Sequence, residues 1–250
     1  MAAPRFYVSL SATKLDEAMA DKTEVMLPAK AAHHAGRALR LRTGEEVVLY
    51  VGTGRQWRGT IRFEHEGAFV TLHSAEDPKN ETPIRMTLVQ ALVSPDKLDW
   101  IIEKAVEPGV TEIVLTPAPR CVTRLSGDRL EKRLQKLRDI AISATEQCGR
   151  NVVPEIRGVA SFAEAMATTQ GERRLLLAPG ATTGAKITGK EQSVVFAVGP
   201  EGGFSPEEIT LAQDTGWESI LLGPRVLRTE TAGMAAAVWL NTLSGDYAGF

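Results

Sequence analysis

From residue 84 onward, short apolar runs alternate with helix-like stretches, and this alternation restricts the fold more than any other feature of the chain. "IRMTLVQALV" (84–93), "TEIVLTPA" (111–118), "RRLLLAP" (173–179), "SVVFAVG" (193–199) and "SILLG" (219–223) read as strands. Between them, "DKLDWIIEKAVE" (96–107) reads as an Asp-capped helix, and a long charged helix runs over roughly 126–148. "SPEEITLAQDTG" (205–216) and "TAGMAAAVWLNTL" (231–243) read as two further helices. Runs buried on both faces and separated by helices are the pattern of an α/β domain with a mostly parallel sheet, whose ligand crevice lies at the carboxyl ends of its strands.

The first part of the chain has a different rhythm. "RFYVS" (5–9) is followed by a polar stretch, and then "EVVLYVG" (46–52), "QWRGTIRFE" (56–64) and "AFVTLH" (68–73) come at close spacing with glycine turns between them. This predicts a small β-barrel or curled sheet over residues 1–75. "PAKAAHHAGRALRLRTG" (28–44) is a helix-like insert with proline near its start and glycine at its end. "SAEDPKNETP" (74–83) is polar, carries two prolines and reads as a linker, which puts the second domain at 76–250.

Composition excludes several classes. Net charge is −2, so no global positive field advertises nucleic acid. Cys121 and Cys148 have no metal-ligand spacing and are too few for a disulfide scaffold, which together predicts a reducing, cytoplasmic setting. No apolar run reaches the roughly 18 residues of a membrane helix. "GTGRQWRG" (52–59) has Trp57 where a dinucleotide loop needs its third glycine, and "GAKITGKE" (184–191) ends in Glu191 where a phosphate loop needs Ser or Thr. His33 and His34 are adjacent and point about 100° apart on a helix, so no metal centre is expected. There is no G-x-S-x-G elbow for serine hydrolase chemistry.

Three loops at the carboxyl ends of the apolar strands carry the positive signal: Ala178-Pro179-Gly180, Gly199-Pro200-Glu201-Gly202-Gly203, and "LLGPRVLRTETA" (221–232). Glycines bring main-chain groups close to a flat polar ligand, and prolines hold loop shape, lowering the entropy lost on binding. With no phosphate cradle, a nucleoside cofactor without phosphates fits better than ATP or NAD. Thr229-Glu230-Thr231 can cap the last helix. Arginines and lysines concentrate in 120–150 and again in 37–62, two local basic surfaces in a slightly acidic chain, which favours RNA as a partner.

"EKAVEPGV", "EQCGR", "VGPEGGFSPEEI" and "LGPRVLRTETA", in this order and spacing, resemble the RsmE-type ribosomal RNA (uracil-N3)-methyltransferases of the SPOUT class. "RFYV", "HHAGRALRLRTGEE" and the short strands resemble that family's PUA-like RNA-binding domain. The resemblance implies a trefoil-knotted α/β methyltransferase domain after a PUA-like β-barrel, a homodimer through the methyltransferase domain, and S-adenosylmethionine as cofactor. It implies methyl transfer to N3 of U-1498 in 16S rRNA of the small ribosomal subunit. Another rRNA or tRNA target, or a non-catalytic RNA-binding assembly factor, are the alternatives.

Under this resemblance the cofactor residues are Leu177, Gly180, Gly199, Glu201, Gly202, Gly203, Leu222, Gly223, Leu227, Thr229 and Thr231, with Glu201 as a loop anchor. Uracil N3 must lose a proton, so Glu230 is the expected base, with helix capping and dipole compensation as its alternative role. Arg225 and Arg228 would stabilise the uracilate oxygens. Arg5, His33, Arg37, Arg40, Arg120, Arg124 and Arg150 are the RNA-contact candidates. The chain departs from the family at Pro108, where leucine is usual, so the helix before it is expected to stop at or before Glu107.

Overall fold

The computed structural model describes residues 3–121, 125–181 and 187–247, which form two compact units. The first comprises 1–81 with 145–153, and the second 82–144 with 154–250.

In the first unit, β1 (Arg5–Tyr7), β2 (Glu24–Met26), β3 (Glu46–Tyr50), β4 (Gln56–Glu64) and β5 (Gly67–Glu76) form one sheet in the order β1-β3-β4-β5-β2. All pairs are antiparallel except β1 with β3. Alternate residues of β4 point inward, and Trp57, Gly59 and Ile61 are buried while Arg58, Thr60 and Arg62 are partly exposed. Gly59 is needed there because a Cβ would sit 2.6 Å from the Thr71 carbonyl oxygen, beside the register shift in the β4–β5 ladder.

The polar stretch after β1 is not a loop. It is helix α1 (Ala12–Ala20), capped by the Ser11 hydroxyl, which accepts from Lys14 N–H at 3.2 Å, and anchored by fully buried Leu15. Asp16 on this helix accepts from Trp57 Nε1 at 2.9 Å and from both Arg55 Nη atoms, and Arg55 and then Trp57 hold its carboxyl below the usual range. The insert at 28–44 is helical only in part: α2 (Ala29–His33) runs into a π-helical turn at His34–Ala38, and Arg40 then takes a left-handed φ of 55°.

Residues 145–153 belong to the first unit because Glu81 and Arg5 stitch them to it. Glu81 accepts from Arg150 Nε at 2.9 Å and from the N–H groups of Asn151 and Val152 at 3.0 Å each. Arg5 donates to the Arg150 carbonyl at 2.9 Å and to the Asn151 side chain, and also to Gln56 at 2.8 Å.

The second unit is a six-stranded sheet, parallel throughout. Its elements in chain order are β6 (Arg85–Ala91), α3 (Pro95–Val106), β7 (Glu112–Thr116), α4 (Gly127–Cys148), β8 (Glu155–Gly158) and α5 (Phe162–Thr168). They continue with β9 (Arg173–Leu177), β10 (Ser193–Val198), α6 (Pro206–Asp214), β11 (Glu218–Ile220) and α7 (Thr229–Ser244). The strand order is β11-β9-β10-β6-β7-β8. Because strand side chains alternate between faces, Val89, Leu176, Val195 and Ala197 pack with α5 and α6 through Phe162, Met166 and Ala212. Leu88 and Val198 face α7 at Gly233, and α3 packs on α7.

The α3 helix begins with Pro95 behind Ser94, not with an Asp96 cap, since Asp96 already lies in the first turn. It ends at Val106, within the expected limit, although Glu107 before Pro108 still keeps helical angles (φ −53°, ψ −47°), and Gly109 turns the chain at φ 98°. The Pro108 carbonyl accepts from fully buried Asn241 of α7 at 2.6 Å, and Asn241 accepts from the Thr82 hydroxyl at 2.9 Å. Asn241→Ala strands the buried Pro108 carbonyl and removes the acceptor of the half-buried Thr82 hydroxyl, and is expected to lower stability by about 1–3 kcal/mol in urea unfolding.

Candidate active site

Register brings the informative loops to one place. Val198 of β10 lies opposite Leu177 of β9 and Gln90 of β6, and Leu177 lies opposite Ile220 of β11. Ile220, Leu177, Val198 and Gln90 therefore form one row, spanning three strand spacings or about 14 Å. The three glycine-bearing loops leave from this row side by side.

Each loop presents backbone to open space. Gly180, Gly203 and Gly223 have φ of 93°, 67° and 137°, and a Cβ added at any of them would meet no atom within 4 Å. These positions favour glycine by conformation and leave room beside the main chain. In the third loop Leu221, Val226 and Leu227 are exposed at 40, 77 and 38%, an apolar surface next to those open backbone groups. Leu222 and Gly223 are half-buried, and Arg225 and Arg228 are exposed. Leu221 lies outside the ladder, so the strand expected at 219–223 ends at Ile220. A cavity of about 430 Å³ opens between residues 178–181, α6 and β11, with Ile209, Gln213 and Trp217 in its wall. Of the three loops it touches only the first.

The second loop is the most tightly held. Gly203 N–H donates to the Pro200 carbonyl at 2.9 Å, closing the turn, and Ser205 with Glu208 forms a reciprocal capping box that starts α6. Arg120 donates to the Gly202 and Phe204 carbonyls at 3.0 and 3.3 Å, so its guanidinium braces this loop. Arg120→Ala is expected to loosen 199–204 and raise its backbone amide exchange about tenfold, with little change in the β6 strand.

Beneath the loop, Gln90 Nε2 donates to the Thr229 hydroxyl at 3.1 Å, and that hydroxyl donates to the Gly199 carbonyl at 2.6 Å. Thr229 is 8% exposed, so it latches α7 to the β10 loop and does not cap the helix. The N-cap position is Arg228, with no side-chain cap bond. Thr231 lies in the first turn, half-buried. Gln90 is fully buried, and its Oε1 has no hydrogen-bond partner among the described residues.

The charged centre consists of Glu201, Glu230 and Lys97. Lys97, in the first turn of α3, donates to Glu201 Oε1 at 3.2 Å and lies 3.8 Å from Glu230 Oε2. Burial pushes the Glu201 carboxyl up, but its own N–H and Lys97 outweigh that and hold it below the usual range. Glu230 Oε2 is buried and has no hydrogen-bond partner among the described residues. Residue-type reasoning passed over Lys97, one lysine in a charged helix, and Gln90, whose only signal was a polar residue inside an apolar strand.

Of the RNA-contact candidates, His33 at the end of α2, Arg37 on the π-helical turn and Arg40 just after it are exposed. Arg150 is 4% exposed and pairs with Glu81, and Arg5 is engaged with Gln56 and residues 150–151. Arg124 lies outside the described residues. Among the described residues no group of His, Cys, Asp and Glu could hold a metal ion, and no helix is long and apolar enough to cross a membrane.

Comparison with known proteins agrees with this geometry. Residues 80–241 match the model of an RNA methyltransferase domain, and residues 27–70 match that of an RNA methyltransferase PUA domain. A ribosomal RNA small subunit methyltransferase E of Mycobacterium bovis is 32% identical over 86% of this chain and 84% of its own. That of Bacillus subtilis is 26% identical over 93% of each. The crystal structure of a ribosomal RNA small subunit methyltransferase E from Neisseria gonorrhoeae, bound to S-adenosyl methionine, superposes with a TM-score of 0.87. It is 33% identical and is matched over 99% of this chain and 100% of that one. Glycine-bearing loops side by side at the ends of a parallel sheet, an RNA methyltransferase match over residues 80–241 and relatives matched over most of their length converge: the chain belongs to the RsmE-type family of small-subunit ribosomal RNA methyltransferases.

Proposed function

We propose that the protein transfers a methyl group from S-adenosylmethionine to N3 of a uridine in 16S rRNA of the small ribosomal subunit, at U-1498. The observation that carries this reading is the row of strand ends with open, positive-φ glycines, together with a Glu230 carboxylate whose buried oxygen has no hydrogen-bond partner among the described residues. The loops fit a nucleoside cofactor: they offer main-chain donors and acceptors and exposed apolar side chains, with no phosphate cradle.

Residues around Leu177, Gly180, Gly199, Gly203, Leu222, Gly223 and Leu227 would hold the cofactor, which when bound supplies an electrophilic methyl group. The chain's own part is to hold the uracil in line with that group, since fixed geometry accounts for a large share of such accelerations. The Glu230 carboxylate takes the N3 proton. Arg225 and Arg228, exposed on the segment leading to Glu230, face the charge that develops on the uracil oxygens. The same reading carries a knotted chain path and a homodimer through the second unit. Exposed Trp100 on α3 and Val238 and Leu243 on α7 offer apolar surface for the dimer, and light scattering tests it.

The experiment is methyl transfer from labelled S-adenosylmethionine to small subunits, followed by digestion to nucleosides. Label in 3-methyluridine supports the reading, and label in any other nucleoside or in none overturns it.

A further inference from the structure

We propose that Lys97 is a positioning residue of the methyl-transfer site: it is the fixed cation that holds the Glu230 carboxylate ready for the N3 proton, with Glu201 as its tether. The inference rests on the reading of Glu230 as base.

Three observations carry it. Lys97 Nζ is shared between two carboxylates from two other elements, Glu201 of the β10 loop at 3.2 Å and Glu230 of α7 at 3.8 Å. All three side chains are partly buried, at 33, 27 and 28% exposure, so the triad is neither a solvated surface pair nor a sealed one. The lysine also occupies the first turn of α3, where the helix macrodipole disfavours a positive charge. Its placement there is compensated by the two carboxylates, and the positive charge stays on the side of α3 that meets the site.

The geometry separates the two contacts. The shorter one, to Glu201, is a hydrogen bond that anchors the ammonium to a loop braced by Arg120 and by the Pro200–Gly203 turn. The longer one sets Glu230 Oε2 next to a positive charge and, among the described residues, without a hydrogen bond; this oxygen is buried, so Lys97 holds the carboxylate in place from its covered side. Among the described residues, the charged groups placed at Glu230 are Lys97 from α3 and, through it, Glu201 from the β10 loop, with Cys121 close to Glu201; Arg225 and Arg228 precede Glu230 in its own segment and are exposed. From β6 the neighbouring group of the latch is the neutral Gln90. Lys97 is therefore the cation whose loss would leave two carboxylates facing each other.

In the step this serves, the N3 proton moves to the Glu230 carboxylate, the N3 electron pair forms the bond to the methyl carbon, and the carbon–sulfur pair stays on sulfur. The proton then leaves Glu230 to solvent.

The test measures kcat and KM for small subunits, with S-adenosylmethionine affinity by calorimetry, for Lys97→Met, Lys97→Arg and Glu230→Gln. The expected result for Lys97→Met is a kcat lowered by more than about tenfold, with KM and cofactor affinity within about threefold of wild type, because the carboxylate is misplaced while both ligands still bind. Lys97→Arg restores most of kcat. If Lys97→Met folds poorly, Lys97→Arg and a Lys97→Gln variant carry the same comparison. An inactive Glu230→Gln beside a Lys97→Met that keeps kcat within about threefold of wild type overturns this inference alone. An active Glu230→Gln overturns both this inference and the reading of Glu230 as base.

Discussion

Glu230→Gln is expected to lower turnover on small subunits by about 10²–10⁴-fold, the usual worth of a positioned general base, while S-adenosylmethionine still binds. The substitution keeps the shape of the side chain and its place in the first turn of α7. It removes the charge opposite Lys97 and leaves an amide that cannot accept the N3 proton. The alternative role, compensation of the α7 dipole, is worth only about 0.3–1 kcal/mol. That would appear as a small stability change without a loss of turnover. Single-turnover kinetics beside thermal unfolding separates the two, and near wild-type turnover across pH removes Glu230 as the base.

Gly199→Ala is expected to weaken S-adenosylmethionine binding at least tenfold. A Cβ at this position would lie 3.1 Å from the Phe204 nitrogen and 3.2–3.3 Å from backbone atoms of Gly203. All three are main-chain atoms, so no side chain can rotate away, and the 200–203 turn has to move as a body. The same residue's carbonyl is the acceptor of the Thr229 latch, so the strain reaches the start of α7. Overpacking of this kind costs about 1–3 kcal/mol. Calorimetric titration with S-adenosylmethionine reads the effect, and an affinity within twofold of wild type contradicts the loop's assigned part.

Much of the second unit was legible because its strands are apolar on both faces and its helices begin with recognisable chemistry. The Ser205-Pro206-Glu207-Glu208 opening is a complete capping box, and the helix expected at 126–148 runs from Gly127 to Cys148. β4 matches its reading from Gln56 to Glu64 because inward and outward residues alternate along it. The α1 helix was not legible: its only fully buried side chain is Leu15, too weak a period to stand out from a polar stretch. What fixes it is tertiary, through Asp16 held by Trp57 and Arg55.

The site divides in the same way. Glycine and proline at strand ends announced the three loops, because backbone conformation is written in those residue types. The Lys97–Glu201–Glu230 contact and the Gln90–Thr229–Gly199 latch arise from strand register and helix packing between residues far apart in the chain. Arg150 shows the reverse error of reading charge as exposure. It sits in a basic stretch, yet Glu81 draws it into the first unit at 4% exposure.

The central claim is the identity of the methylated atom, and nucleoside mass spectrometry of 16S rRNA from cells with and without this protein tests it most directly. Loss of 3-methyluridine, mapped to U-1498 and restored by the wild-type chain but not by Glu230→Gln, is the predicted result. Persistence of 3-methyluridine in cells lacking the protein would contradict it.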